Sequence, residues 1–192
     1  MIGSIALLVV LFFLVIGLAS YAAATYNGLV LVRLNIEKAW ANIDVILEQR
    51  HDEIPKLVQL CQQYAQYERS TLEKVVNLRA QALAATGVGA RAAAEGQLSA
   101  ALGKVFAVAE GYPELKANVN IGQLQGRISG LETELADRRE FYNESVNIYN
   151  IRIVQFPDGI AAKMMKLTHK EMFKVVEEDK QDVDVELNLP KQ

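Results

Sequence analysis

Ile5-Ala6-Leu7-Leu8-Val9-Val10-Leu11-Phe12-Phe13-Leu14-Val15-Ile16-Gly17-Leu18-Ala19 carries no polar side chain, and no Asp, Glu, Lys or Arg precedes Arg33. The apolar character runs from Ile2 through Ser20 and Tyr21 to Ala24. A hydrocarbon core about 30 Å thick is crossed by about 20 helical residues at about 1.5 Å of rise each, so the stretch is long enough to span one. A helix satisfies its own backbone amides, which lipid cannot do. Tyr21 and Tyr26 fall where an aromatic belt meets the headgroups. Residues 1–25 are therefore expected to form a transmembrane anchor. One rival is a cleaved secretory signal, for which Ala22 and Ala24 offer a small-x-small site. Against it stand the missing basic lead and an apolar run longer than such signals use. The other rival is a buried core helix, which rarely lacks charge for so long. Arg33 and Lys38 follow the span closely, which places the body in the cytoplasm by the positive-inside rule, with a periplasmic or extracellular body as the alternative.

The chain has 192 residues with 20 Lys+Arg against 23 Asp+Glu, a formal charge of −3, and 51% of it is apolar. That balance speaks against a nucleic-acid binder, which would show a basic excess. Cys61 is the sole cysteine, so an internal disulfide and a thiolate zinc cage are both excluded. His51 and His169 leave little for any metal site, and no metal or cofactor is expected.

Beyond the span the pattern is helical. Leu29, Val32, Ile36, Trp40, Ile43 and Leu47 recur at steps of three and four, one apolar stripe on a helix, with Glu37, Lys38, Asp44 and Glu48 largely off it. Pro55 removes a donor, so either Asp52 caps a fresh helix there or the helix kinks. The stripe resumes with Leu57, Val58, Cys61, Tyr64, Ala65, Leu72, Val75, Val76 and Leu83, with Arg79 interrupting it. Thr86-Gly87-Val88-Gly89 reads as a break. An Ala-rich helix follows over residues 90–110, bearing Leu98, Leu102, Val105, Phe106 and Val108, and Gly111-Tyr112-Pro113 stops it. The longest helix is expected to start near Asn120 as its cap, with a stripe of Leu124, Ile128, Leu131, Leu135, Tyr142, Val146, Tyr149 and Ile153, and to close at Phe156-Pro157. No alternating β-branched run appears in this body. The expected fold is all-α: a single N-terminal transmembrane helix followed by an antiparallel bundle of long helices over residues 26–176. Residues 177–192 hold six acids and two lysines, a net −4, and read as a flexible acidic tail. The alternation in Val183-Asp184-Val185-Glu186-Leu187 also permits an edge strand or a peptide that adds to a partner's sheet.

Several short runs together resemble the LemA family: Tyr26-Asn27-Gly28-Leu29-Val30, Glu37-Lys38-Ala39-Trp40-Ala41-Asn42-Ile43-Asp44-Val45, Arg50-His51-Asp52-Glu53-Ile54-Pro55-Lys56-Leu57-Val58 and Tyr64-Ala65-Gln66-Tyr67-Glu68. Ala109-Glu110-Gly111-Tyr112-Pro113-Glu114-Leu115-Lys116-Ala117, Leu124-Gln125, Tyr142-Asn143, Tyr149-Asn150 and Phe156-Pro157 continue it, so the resemblance covers roughly residues 1 to 160 in order. It implies a bacterial-type protein with one N-terminal membrane segment and a helical bundle, in a family that includes a magnetosome protein involved in forming that organelle's membrane. It implies no known enzyme activity. The chain departs from the family pattern after Phe156-Pro157, where Met164-Met165-Lys166-Leu167 and Met172-Phe173 stand in place of a Phe-rich stretch.

Tyr142-Asn143 and Tyr149-Asn150 stand seven apart and share one helix face. Read structurally, each Tyr packs inward and its hydroxyl finds a buried partner, while each Asn bonds to a neighbouring helix and fixes register. Read functionally, Tyr142, Asn143, Tyr149 and Asn150 line a polar pocket for a ligand. Trp40 reads as a core anchor. His51-Asp52-Glu53 cannot converge on one ion, because consecutive helical residues point about 100° apart, and reads as a capped helix start. Cys61 reads as a small buried hydrophobe. An inward arginine in Arg138-Arg139-Glu140 would need a carboxylate such as Asp44 or Glu68, a structural ion pair rather than a phosphate site. No catalytic motif is found. The functional expectation is a non-enzymatic scaffold or adaptor held at the bacterial inner membrane, engaging other proteins and no nucleic acid, with homo-oligomerisation open. The alternatives are a ligand-binding or enzymatic bundle and a secreted soluble bundle.

Overall fold

A computed structural model describes residues 2–64, 67 and 69–174. The tail at 177–192, with its alternating stretch, therefore lies outside the described residues, as do Ala65 and Glu68. Six helices follow one another: α1 (Ile2–Cys61), α2 (Arg69–Ala84), α3 (Val88–Gly111), α4 (Pro113–Lys116), α5 (Val119–Arg152) and α6 (Asp158–Met164). Among the described residues there is no strand.

α1 runs unbroken through Pro55 for 60 residues, about 90 Å at about 1.5 Å of rise each. It, and not α5, is the longest helix. Its first part stands free: residues 3–24 are exposed throughout, and the first residue covered by the rest of the chain is Thr25. The core-helix reading of the span therefore does not hold. From Leu29 onward the expected stripe is buried, with Leu29, Ile43 and Leu47 at 0% exposure, save Trp40, which is only partly covered.

The bundle is antiparallel. Pairs Gly28–Arg152, Arg50–Glu132 and Glu53–Arg127 run α1 against α5 in opposite directions. α2 returns along α1, where Arg79 Nε donates to the His51 carbonyl at 2.9 Å, and α3 rises parallel to α1. Helix ends follow local chemistry. Gly87, at φ +88°, supplies the left-handed turn before α3, which begins two residues earlier than the Ala-rich stretch suggests. Asn118 caps α5: its side chain accepts from Asn120 N at 3.0 Å and Ile121 N at 3.1 Å, so the cap sits two residues ahead of the expected one. In α2 the inward face is Leu72, Val75, Leu78 and Ala82, whereas Val76 and Leu83 of the expected stripe are half exposed.

The core is divided. A distal cluster joins the end of α1 to α2, α3 and the start of α5 around Ile54, Leu57, Leu102 and Ile128. A proximal cluster, nearer the span, joins Leu29–Leu47 of α1 to Leu135–Ile153 of α5. There α3 contributes only its first turns, through Val88 and Ala92, and α6 with the extended segment to Phe173 supplies the rest of the wall.

Candidate functional site

Two polar constructions stand out in the bundle. The first is a layer of charge between the two apolar clusters. Arg50 is completely buried, and its guanidinium bonds to Glu95, to Glu132 and, at 2.8 Å, to the Ser99 hydroxyl. His51 Nε2 lies 2.9 Å from the other oxygen of Glu95, which is itself fully buried. Arg91 reaches Asp44 at 3.6 Å. Arg139 borders the layer, with its guanidinium carbon 4.9 Å from the Phe173 ring centroid.

Burial alone would raise the Glu95 carboxyl. The hydrogen bond from His51 and the charge of Arg50 outweigh it and hold the group below its usual value. Burial lowers Arg139, and the nearby Arg50 charge lowers it further, against the pull of Glu132 and Glu95. The layer therefore keeps the Glu95 carboxylate ionised in an apolar interior, where it needs its cations. This network was not foreseen. His51-Asp52-Glu53 is not a helix start, because α1 passes straight through it. The inward arginine of the Arg138-Arg139 pair finds its carboxylate field in Glu132 and Glu95, whereas Asp44 belongs to Arg91. Arg138 pairs on the surface with Glu134 at 2.9 Å. The available signal was register: Arg50 follows Leu47 by three and precedes Ile54 by four, and Glu95 falls between Ala92 and Leu98, so both occupy stripe positions.

The second construction uses all four residues of the two Tyr-Asn pairs. Asn150 Nδ2 donates to the Lys170 carbonyl and its Oδ1 accepts from the Lys170 amide, both at 2.9 Å. Asn143 treats Phe173 the same way, at 3.1 and 2.7 Å. Tyr149 donates to the Thr168 carbonyl at 3.1 Å and Tyr142 to the Glu171 carbonyl at 3.0 Å. Seven helical residues advance about 10.5 Å and three extended residues about 10 Å. The heptad on α5 therefore matches a three-residue repeat in the segment, which runs antiparallel to it as a strap. Both Tyr hydroxyls are raised by burial and stay protonated, as donors must. The tyrosines are buried as expected, but each Asn grips this extended backbone and not a neighbouring helix.

Trp40 packs edge-on against Tyr142, with ring centroids 5.5 Å apart, and at 6.0 Å from Phe173. An open hollow of about 540 Å³ lies beside it, lined by Ile36, Trp40, Gly87, Arg91, Tyr142 and Glu171 among others. Cys61 is fully buried and its thiol is pushed up by burial, so it packs as an apolar group. Among the described residues, no group of His, Cys, Asp and Glu is placed to hold a metal ion.

An uncovered apolar helix long enough to cross a membrane, continuous with a helical bundle, marks a membrane-associated helical protein. The chain belongs to the LemA family, whose model matches residues 39–187. It is similar to magnetosome protein MamQ 2 of Paramagnetospirillum magneticum, 24% identical over 194 residues that cover 88% of this chain and 71% of that protein. It is also similar to magnetosome protein MamQ of Magnetospirillum gryphiswaldense, 22% identical over 174 residues covering 77% of this chain and 64% of that one.

Proposed function

We propose that the chain is a single-pass scaffold of the bacterial inner membrane, with its body on the cytoplasmic side, where it presents the faces of a stiff bundle to other proteins. The observation that carries this reading is α1, one helix that begins as an uncovered apolar span and ends in the distal core. A stiff connection fixes the height and direction of the body, and tethering raises the local concentration of weak contacts. Kinship with magnetosome proteins agrees with work at a membrane. The net charge of −4 over residues 177–192 favours partners with basic groups.

The test is site-specific photo-cross-linking from exposed bundle positions such as Val76 and Leu83 in intact cells. The scaffold reading expects discrete adducts with the same membrane-associated proteins from neighbouring positions. Adducts of the chain with itself alone, from every face of the bundle, would refute it. Protease protection of the body in spheroplasts decides the side: a protected body supports the cytoplasmic assignment, a cleaved one overturns it.

A further inference from the structure

The foot of the bundle, where α5 ends and α6 begins, carries large apolar side chains with no partner in the fold. Phe156 is 81% exposed and Met164 82%, and Val154 and Ile160 are more than half exposed. Unpartnered groups of this size, gathered at one end of a molecule, mark a contact surface.

Their height is fixed by α1. Arg152, in the last turn of α5, donates from Nη1 to the Gly28 carbonyl at 3.2 Å and binds Asp158 at the start of α6 at 2.7 Å. α5 descends toward the span, so Val154 and Phe156 lie at or below the level of Gly28. The first covered residue of α1 is Thr25, and every residue from 3 to 24 is bare. At about 1.5 Å per residue, Gly28 stands about 6 Å above Ala24. The underside of the body therefore lies at the edge of the hydrocarbon, within the headgroup layer.

The foot is also two-faced. In α6, Ala162 is buried in the proximal cluster, while Ile160 and Met164, one turn apart, stay outside. Lys163 and Lys166 are exposed beside them, whereas the acid of the foot, Asp158, is taken up by Arg152. Apolar groups rimmed by free ammonium groups fit a bilayer surface containing anionic lipid.

We propose that Val154, Phe156, Ile160 and Met164 form a second membrane contact, inserted at the headgroup–acyl boundary of the bilayer that α1 spans. The foot then sets the body upright, clamping it to the surface at two points. This rests on α1 being a membrane anchor.

The test uses the full chain in phosphatidylcholine–phosphatidylglycerol vesicles. Trp40→Phe removes the sole native tryptophan, and a single reporter is then placed by Phe156→Trp, Met164→Trp, Tyr21→Trp or Val119→Trp. Tyr21 lies in the span, and Val119 is 69% exposed at the distal end. Lipids brominated near the headgroup end of the acyl chain quench indole by contact. Quenching of the Phe156→Trp and Met164→Trp reporters comparable to that of Tyr21→Trp, with Val119→Trp unquenched, is the expected result. Foot reporters that behave like Val119→Trp while Tyr21→Trp is quenched would overturn the foot and leave the anchor standing. An unquenched Tyr21→Trp would overturn the anchor, and the foot with it.

Discussion

Asn143 holds Phe173 by both of its backbone groups, accepting from the amide at 2.7 Å and donating to the carbonyl at 3.1 Å. One side-chain amide thus does for Phe173 what a neighbouring strand would do, and Asn150 repeats it at Lys170. Among the described residues the strap has no sheet to join, and these two residues, with the Tyr142 and Tyr149 hydroxyls, bond its backbone instead.

Asn143→Leu combined with Asn150→Leu removes four hydrogen bonds, each contributing about 0.5–1.5 kcal/mol net. The cost falls first on the strap, as local opening, before the bundle as a whole. Amide exchange at Lys170 and Phe173 should accelerate by at least an order of magnitude, while amides near Ile54 and Leu102 keep their protection. Unchanged exchange at those two amides would show that the strap is held by something else.

Arg50 bonds to two carboxylates inside the bundle, so Arg50→Met leaves buried Glu95 with only His51 and the more distant Arg91, at 4.0 Å. Breaking a buried pair from one side costs about 3–5 kcal/mol. The urea midpoint of the variant should fall accordingly. Adding Glu95→Leu, Glu132→Leu and Arg139→Met should recover most of the loss, because a layer cleared of its buried charges needs no counter-charge. A single variant as stable as the parent would contradict the account of the layer.

The pH dependence follows from the direction of the Glu95 shift. Its carboxyl is held below the ordinary 4.5, so its contribution is complete above that value and disappears as pH falls through the folded-state pKa. Stability against urea should therefore hold near neutrality and decline below pH 4.5. Glu95→Gln lowers the plateau and makes the acid limb shallower. Glu53, also lowered by its bond to Arg127, keeps some of that limb in place. An acid limb of the same steepness in Glu95→Gln would remove Glu95 from the explanation.

Arg152 ties three pieces of the foot together, and Gly28 makes room for it: a Cβ there would sit 2.8 Å from Arg152 Nη2. Arg152→Met deprives Asp158 of its partner and should cost about 1–2 kcal/mol, the range for charge-assisted bonds at a partly exposed site. Gly28→Leu should loosen the same contact by pushing the guanidinium aside. Both variants should speed proteolysis within 153–166. Resistance equal to that of the parent would show that α6 is held without Arg152.

The stripes on α1 and α5 were legible because burial in a helical bundle repeats at 3.6 residues, and Leu29, Ile43, Ile128, Leu135 and Val146 obey that period. At Pro55 no fresh helix starts, because a proline far along a helix loses one bond while the flanking turns stay helical. The charge layer was hidden for a different reason. Arg50 and Glu95 are 45 positions apart, and their meeting depends on the relative height of two helices, which no local pattern encodes. The Tyr-Asn heptad was visible as a repeat, but its occupant was not, since an extended segment bound through its backbone leaves no side-chain signature.

The central claim is that span and bundle are one rigid helix, and residue-resolved hydrogen exchange across 22–33 in vesicles tests it most directly. A continuous α1 predicts amides protected without interruption from the span into the bundle. A run of amides exchanging at free-chain rates between Ala24 and Arg33 would mean a flexible tether, and would contradict both the fixed height of the body and the foot that depends on it.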